Sequence, residues 1–97
     1  MEKEMLAIAK LKSGEGKFEK FMGFMQSDKG MSERKKVADV AKTIGAVSPD
    51  KKAVMFKIFV HNIDAMHAFV DGSNPVSKPV WDEVMESFEI YELKKVR

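Results

Sequence analysis

The sequence predicts a small α+β domain whose elements run strand, helix, strand, strand, helix, strand. Three observations point there. KAVMFKIFV at 52–60 alternates side to side, with Val54, Phe56, Ile58 and Val60 making one wholly apolar edge. Phe18, Phe21, Met22 and Met25 fall at i, i+3, i+4 and i+7, the stripe of a helix laid on a core. A chain of 97 residues, 44% hydrophobic and 33% charged, is large enough for one core and too small for two, so 1–97 is read as a single domain.

Taken in order, EMLAIAKLK at 4–12 reads as the first strand, closed by the turn Ser13-Gly14-Glu15-Gly16. The first helix is predicted from Lys17 to about Asp28, with Gly30 as its stop. Phe24 lies off the buried stripe and needs a second cover or the lip of a pocket. Residues 31–47 admit two readings. Val37, Val40, Ala41 and Ile44 suit a helix capped by Ser32 and stopped by Gly45; the same stretch suits a strand over about 39–47. The strand is preferred, because SPDKK at 48–52 is a turn signal and a hairpin across it gives the segment a partner.

Asn62 caps a predicted second helix with Ile63, Met66, Phe69 and Val70 on its buried face and Gly72 at its end. SNPVSKP breaks the chain, and Pro79 suits the first turn of a short helix carrying Val80, Trp81, Val84 and Met85. FEIYELKKV, from Phe88 to about Val96, is the last strand. This β-α-β-β-α-β order is the ferredoxin-like split βαβ plan, a four-stranded antiparallel sheet with helices on one face.

Composition narrows function mainly by exclusion. With no cysteine there is no disulfide, thiolate nucleophile or thiolate metal site. A formal charge of +2, with lysines spread among fifteen acidic residues, reads as a solvated surface and argues against nucleic acid as partner. No apolar run approaches the roughly 20 residues of a membrane helix, and MEKEMLAIAK lacks the layout of a signal peptide, so the expectation is a soluble cytoplasmic protein with no membrane partner. The eight methionines suit a loosely filled core or an adaptable interface.

Alternation also assigns sheet faces. Strand three places Met55, Lys57, Phe59 and His61 away from the helices. The first strand is read with Leu6 and Ile8 inward and Met5, Ala7, Ala9 and Leu11 outward; the last, with Phe88 and Ile90 inward and Tyr91 and Leu93 outward. The free face of an antiparallel sheet is ordinarily polar. Here Met55, Phe59, Tyr91 and Leu93 would stand exposed, and burial against a second copy through a symmetric interface removes the difficulty. A homodimer is expected.

MLAIAKLK, GKFEKFMGFM, KAVMFKIFV, NIDAMHAFVDG and FEIYELKKV together make nearly the whole chain similar, in order, length and patterning, to the dimeric α+β barrels. In that superfamily two ferredoxin-like subunits pack sheet against sheet. It includes cofactor-free monooxygenases of the antibiotic-biosynthesis type, haem-degrading enzymes and small-molecule sensors. The resemblance implies a pocket between sheet and helices.

Individual motifs weigh toward bland roles. Ser-Gly-Glu-Gly-Lys at 13–17 lacks the glycine spacing of a phosphate loop, and Phe18 stands where Ser or Thr would hold Mg²⁺. KAVMFKIF at 52–59 shares Phe56 and Phe59 with an RNA-binding third strand. Exposing Val54 and Phe56, however, would bury Lys57 and His61, and the stacking platform is missing. His61 and His67, the only histidines, lack metal-site spacing and read as flank residues paired with Asp64 or Asp71. The resemblance would allow haem on a second-helix histidine, but the accompanying residues do not match, and no metal or cofactor is expected. Asp82, Glu83 and Glu86 read as a solvated face rather than an acid–base set. Trp81 could roof a pocket with Phe24 and Tyr91. The candidate ligand-binding residues are therefore His61, His67, Trp81, Tyr91 and Phe24. The expected role is binding of a small apolar or aromatic molecule, or that of an accessory domain. A cofactor-independent oxygenase using Trp81, Tyr91 and a histidine is the alternative.

Overall fold

A computed structural model describes residues 2–94. Its elements are β1 (Lys3–Leu11), α1 (Lys17–Gln26), α2 (Asp28–Val37), a 3-10 turn (Val40–Lys42), β2 (Ile44–Val47), β3 (Ala53–Val60), α3 (Ile63–Asp71), α4 (Lys78–Val84) and β4 (Met85–Glu92). The four strands form one antiparallel sheet in the order β2-β3-β1-β4. β3 thus lies between β1 and β2, and β1 between β3 and β4. The helices cover one side of the sheet and share a single apolar core with it. Among the described residues no helix is long and apolar enough to cross a membrane.

β3 has the predicted phase, with Val54, Phe56, Ile58 and Val60 buried beneath the helices. β1 has the opposite phase to the one alternation suggested. Directly opposed residues of an antiparallel pair share a face, and the register sets Met5, Ala7 and Ala9 against Ile58, Phe56 and Val54. Met5, Ala7, Ala9 and Leu11 are therefore buried, while Leu6 and Ile8, opposite Lys57 and Met55, lie on the outer face. Volume explains the choice. β1 is central, and the side chains brought in by the helices and β3 include Phe21, Phe56, Phe69 and Trp81, so alanines beneath them leave room that Leu and Ile would fill.

The segment after the first turn departs most from expectation. α1 stops at Gln26 because Ser27 is extended; its hydroxyl donates to Phe24 O (2.6 Å) and accepts from Gly30 N (3.1 Å), capping a second helix. Gly30 is no stop. It is buried in the first turn of α2, where a Cβ would sit 1.9 Å from Phe24 O, so its role is close approach to the end of α1. The predicted strand over 39–47 shrinks to Ile44–Val47: helix continues to Val37, Ala38 bridges Val60, and Asp39 caps the 3-10 turn through Ala41 N (3.1 Å).

The SPDKK turn closes the β2–β3 hairpin as expected. Ser48 N–H reaches Ala53 O, and Asp50 accepts from the Ser48 hydroxyl and from Lys52 N. α3 begins on its Asn62 cap and ends at Gly72 with φ 91°, both as predicted. α4 has Pro79 in its first turn and buries Trp81 and Val84. The last strand starts at Met85 rather than Phe88 and ends at Glu92; the predicted end at Val96 lies outside the described residues.

Candidate functional site

Between the sheet and the helices lies an apolar cavity of about 50 Å³. Phe56 and Ile58 of β3 form its floor with Ala7 and Phe88; Phe21, Met25, Met66, Phe69 and Trp81 close it from above. Along one wall runs the segment Arg34, Val37, Ala38, Val40 and Thr43. The cavity is about a third of the ~150 Å³ that accommodates benzene in a protein core. An aromatic guest would thus require side chains to move.

Trp81 is the organising residue. It arrives on α4 after Pro79, is buried, and donates its indole N–H to Phe69 O (2.6 Å). Phe69 lies in the last turn of α3, where carbonyls lack helical partners; the fully buried Ser77 hydroxyl donates to the same oxygen (2.7 Å). Around the indole, Phe21 lies at 5.2 Å, Phe24 at 5.4 Å and Phe69 at 5.5 Å between centroids, the latter two edge-on. Phe24, off the main stripe of α1, finds its second cover in this cluster.

The five candidate ligand residues do not form one constellation. Trp81 and Phe24 meet. Tyr91 pairs with Leu6 on the opposite face of the sheet, 48% exposed, with its hydroxyl on Glu89, whose carboxylate raises the Tyr91 pKa. His61 is exposed just past β3, with Nε2 3.0 Å from Lys35 O. His67 is exposed on α3, near Asp71, whose carboxyl is held below its ordinary range by Ser73 first and by His67 to a smaller degree. Among the described residues no three His, Asp or Glu side chains gather as a metal site.

Sequence reasoning missed Arg34, which lay in the RKK run assigned to solvent. Among the described residues it is the only charged one lining the cavity. Nη1 donates to Met25 O (3.0 Å) and contacts Met31 Sδ (3.2 Å), and burial pulls its pKa down. The signal was present in helical phase: Gly30, Arg34 and Val37 fall on one face once 28–37 is read as helix.

The outer face of the sheet is a second distinctive surface. Met55 and Phe59 of β3 and Tyr91 of β4 lie there, as predicted, joined by Leu6 and Ile8 of β1 and Ile44 of β2. Leu93 follows in alternation just past β4, its N–H on Glu4 O. Ile44 is 62% and Met55 36% exposed. Two of the lysines at this face are paired: Lys57 with Glu4 at 3.1 Å, and Lys42, which lies over the Phe59 ring at 5.7 Å, with Glu2.

No family model matches this chain, and no curated protein does. Among solved structures it resembles protein SO0527 from Shewanella oneidensis, with a TM-score of 0.54 and 20% identity over 94% of this chain and 89% of that one. The likeness is one of fold: a small α+β arrangement of four antiparallel strands with helices.

Proposed function

We propose that this chain is a ferredoxin-like subunit that pairs sheet to sheet with a second copy. In this reading the homodimeric α+β barrel acts in binding, with a small apolar molecule held in the cavity of each subunit, or as an accessory protein. The observation that carries the assembly is the outer face. Leu6, Ile8, Met55, Phe59 and Tyr91 form an apolar surface that the chain's own helices do not cover, and Lys57 among them is already paired with Glu4. The topology supports the same plan. A split βαβ arrangement inserts a third strand between the two joined by each crossover, as β3 lies between β1 and β2 and β1 between β3 and β4; the second helix in each crossover is this chain's addition. Binding is preferred to oxygenase chemistry because Tyr91, His61 and His67 all stand away from the cavity that Trp81 closes. Light scattering across a dilution series tests the assembly. A mass of two chains persisting to low micromolar concentration is expected; one chain mass throughout would overturn it.

A further inference from the structure

Folding uses only part of Arg34, whose Nη1 ties α2 to the last turn of α1 through Met25 O. It stands on α2 and lines a cavity whose other described lining residues are apolar except Thr43. A guanidinium has five donors in a planar fork and, where partly desolvated, gains most from a carboxylate that accepts two of them in parallel. Among the described residues none does so. Among those residues Arg34 has no carboxylate within 4.0 Å, and only Nη1 is engaged, by the Met25 carbonyl and the Met31 sulfur; Nε and Nη2 are left open to solvent or to a ligand. The adjacent acid, Glu33, is turned aside to Lys36 and Asn74, both at 2.8 Å. Thr43, on the same wall, has its hydroxyl on Asp39 O.

We infer that the cavity is a site for a short-chain carboxylate, with the acid group on Arg34 and the hydrocarbon tail among Val37, Phe56, Met66 and Trp81. This rests on the pocket-binding half of the function proposed above and names the ligand class. The carboxylate supplies the counter-charge that α2 withholds, and the tail removes apolar surface from water. Size sets the chain length. A volume of about 50 Å³ is a third of one that holds the six heavy atoms of benzene, so it takes roughly two or three carbons, the alkyl end alone, with the acid group outside at the Arg34 wall. Butanoate, with its propyl tail, is at that limit; benzoate is past it.

The test is an NMR titration of the full chain with butanoate and, in parallel, its neutral isostere butanamide. Shifts are followed at Arg34 Nε–H and at the methyls of Val37 and Met66, with the solution mass measured in the same samples. Saturable shifts with butanoate at least tenfold tighter than with butanamide are expected. Arg34→Met should abolish that preference, and Arg34→Lys should keep part of it. Equal binding of acid and amide, or no saturation by butanoate, would overturn the inference. So would undiminished butanoate binding by Arg34→Met. If Arg34→Met fails to fold, the acid-to-amide ratio in the native chain and in Arg34→Lys still decides. A monomeric chain that binds butanoate would sink the barrel and leave this site standing; a dimer that ignores butanoate would do the reverse.

Discussion

The two faces of the sheet are made of similar residues and meet different fates. On the inner face Ala7, Ala9, Val54, Phe56 and Val60 are sealed by α1–α4, with Trp81 closing the aromatic cluster. On the outer face Leu6, Ile8, Met55, Phe59 and Tyr91 have no helix of their own chain above them. The outer side also carries Glu4, Lys10, Lys57 and Glu89, and within β1 the two sides differ in size. The inner side of β1 alternates through alanines because bulky side chains come down onto it, whereas its outer side carries Leu and Ile. A face that keeps its large aliphatics with nothing intramolecular to bury them is suited to an external cover. The inner face supplies stability; the outer face is the one we propose for association.

The largest effect is expected from uncovering the inner face. Trp81→Ala removes the centre of the aromatic cluster and leaves the Phe69 carbonyl with Ser77 alone. A loss of about 3–5 kcal/mol in urea unfolding is expected. The cavity it opens should admit benzene, read as a benzene-dependent rise in melting temperature that the native chain lacks. A loss below about 1 kcal/mol would show that the indole is peripheral. On the outer face, Phe59→Glu should leave stability near the native value and weaken the proposed dimer by at least about 100-fold, near 2.8 kcal/mol at 1.4 kcal/mol per decade. An unchanged mass by light scattering would erase the distinction between the faces.

This contrast was partly legible in the sequence. β3 was readable because its inner positions are all large and apolar and its outer ones include Lys57 and His61. β1 was not, because Leu6 and Ile8 outweigh the alanines in bulk although Glu4 and Lys10 share their phase, and pairing with β3, 43 to 57 residues away, is what selects the side. The α1–α2 break at Ser27 and the role of Gly30 depend on two helices touching, which no local pattern records. In the candidate site, Trp81 was found by its amphipathic turn after Pro79, and Phe24 by lying off the stripe of its helix. Tyr91 was grouped with them although its outward phase in β4 already separated it from a helix residue. Arg34 was lost in the basic run Arg34-Lys35-Lys36, read as solvated surface.

How tightly the inner face is covered can be probed with one substitution at two glycines. Gly30→Ala forces a methyl onto the Phe24 carbonyl, which is backbone and cannot swing aside. Overpacking of this kind costs about 1–3 kcal/mol, offset in part by the helix preference of Ala. A net loss of about 1–2 kcal/mol is expected. Gly23→Ala, where a Cβ meets nothing within 4 Å, should gain up to about 1 kcal/mol from that preference alone. Equal effects of the two in thermal melts would mean that α1 and α2 do not approach as closely as the geometry requires.

The finest adjustment of the inner cover is electrostatic. Glu33 of α2 accepts from Asn74 in the loop that delivers Ser77 and Trp81, and Asn74 Oδ1 takes Val76 N (2.8 Å). Lys36 first, then Asn74, holds the Glu33 carboxyl below its ordinary range. A carboxyl depressed by folding stabilises fully above its unfolded pKa, near 4.3, and that contribution fades as pH falls through the lower folded value. Glu33→Gln should therefore be less stable than the native chain at pH 7 by under about 1 kcal/mol, since Lys36 is exposed and screened. The gap should close in acid. Salt separates the two partners: 1 M NaCl at pH 7 should remove the Lys36 share and leave that of Asn74. A gap independent of pH would assign the effect to packing of the loop instead of to the charge.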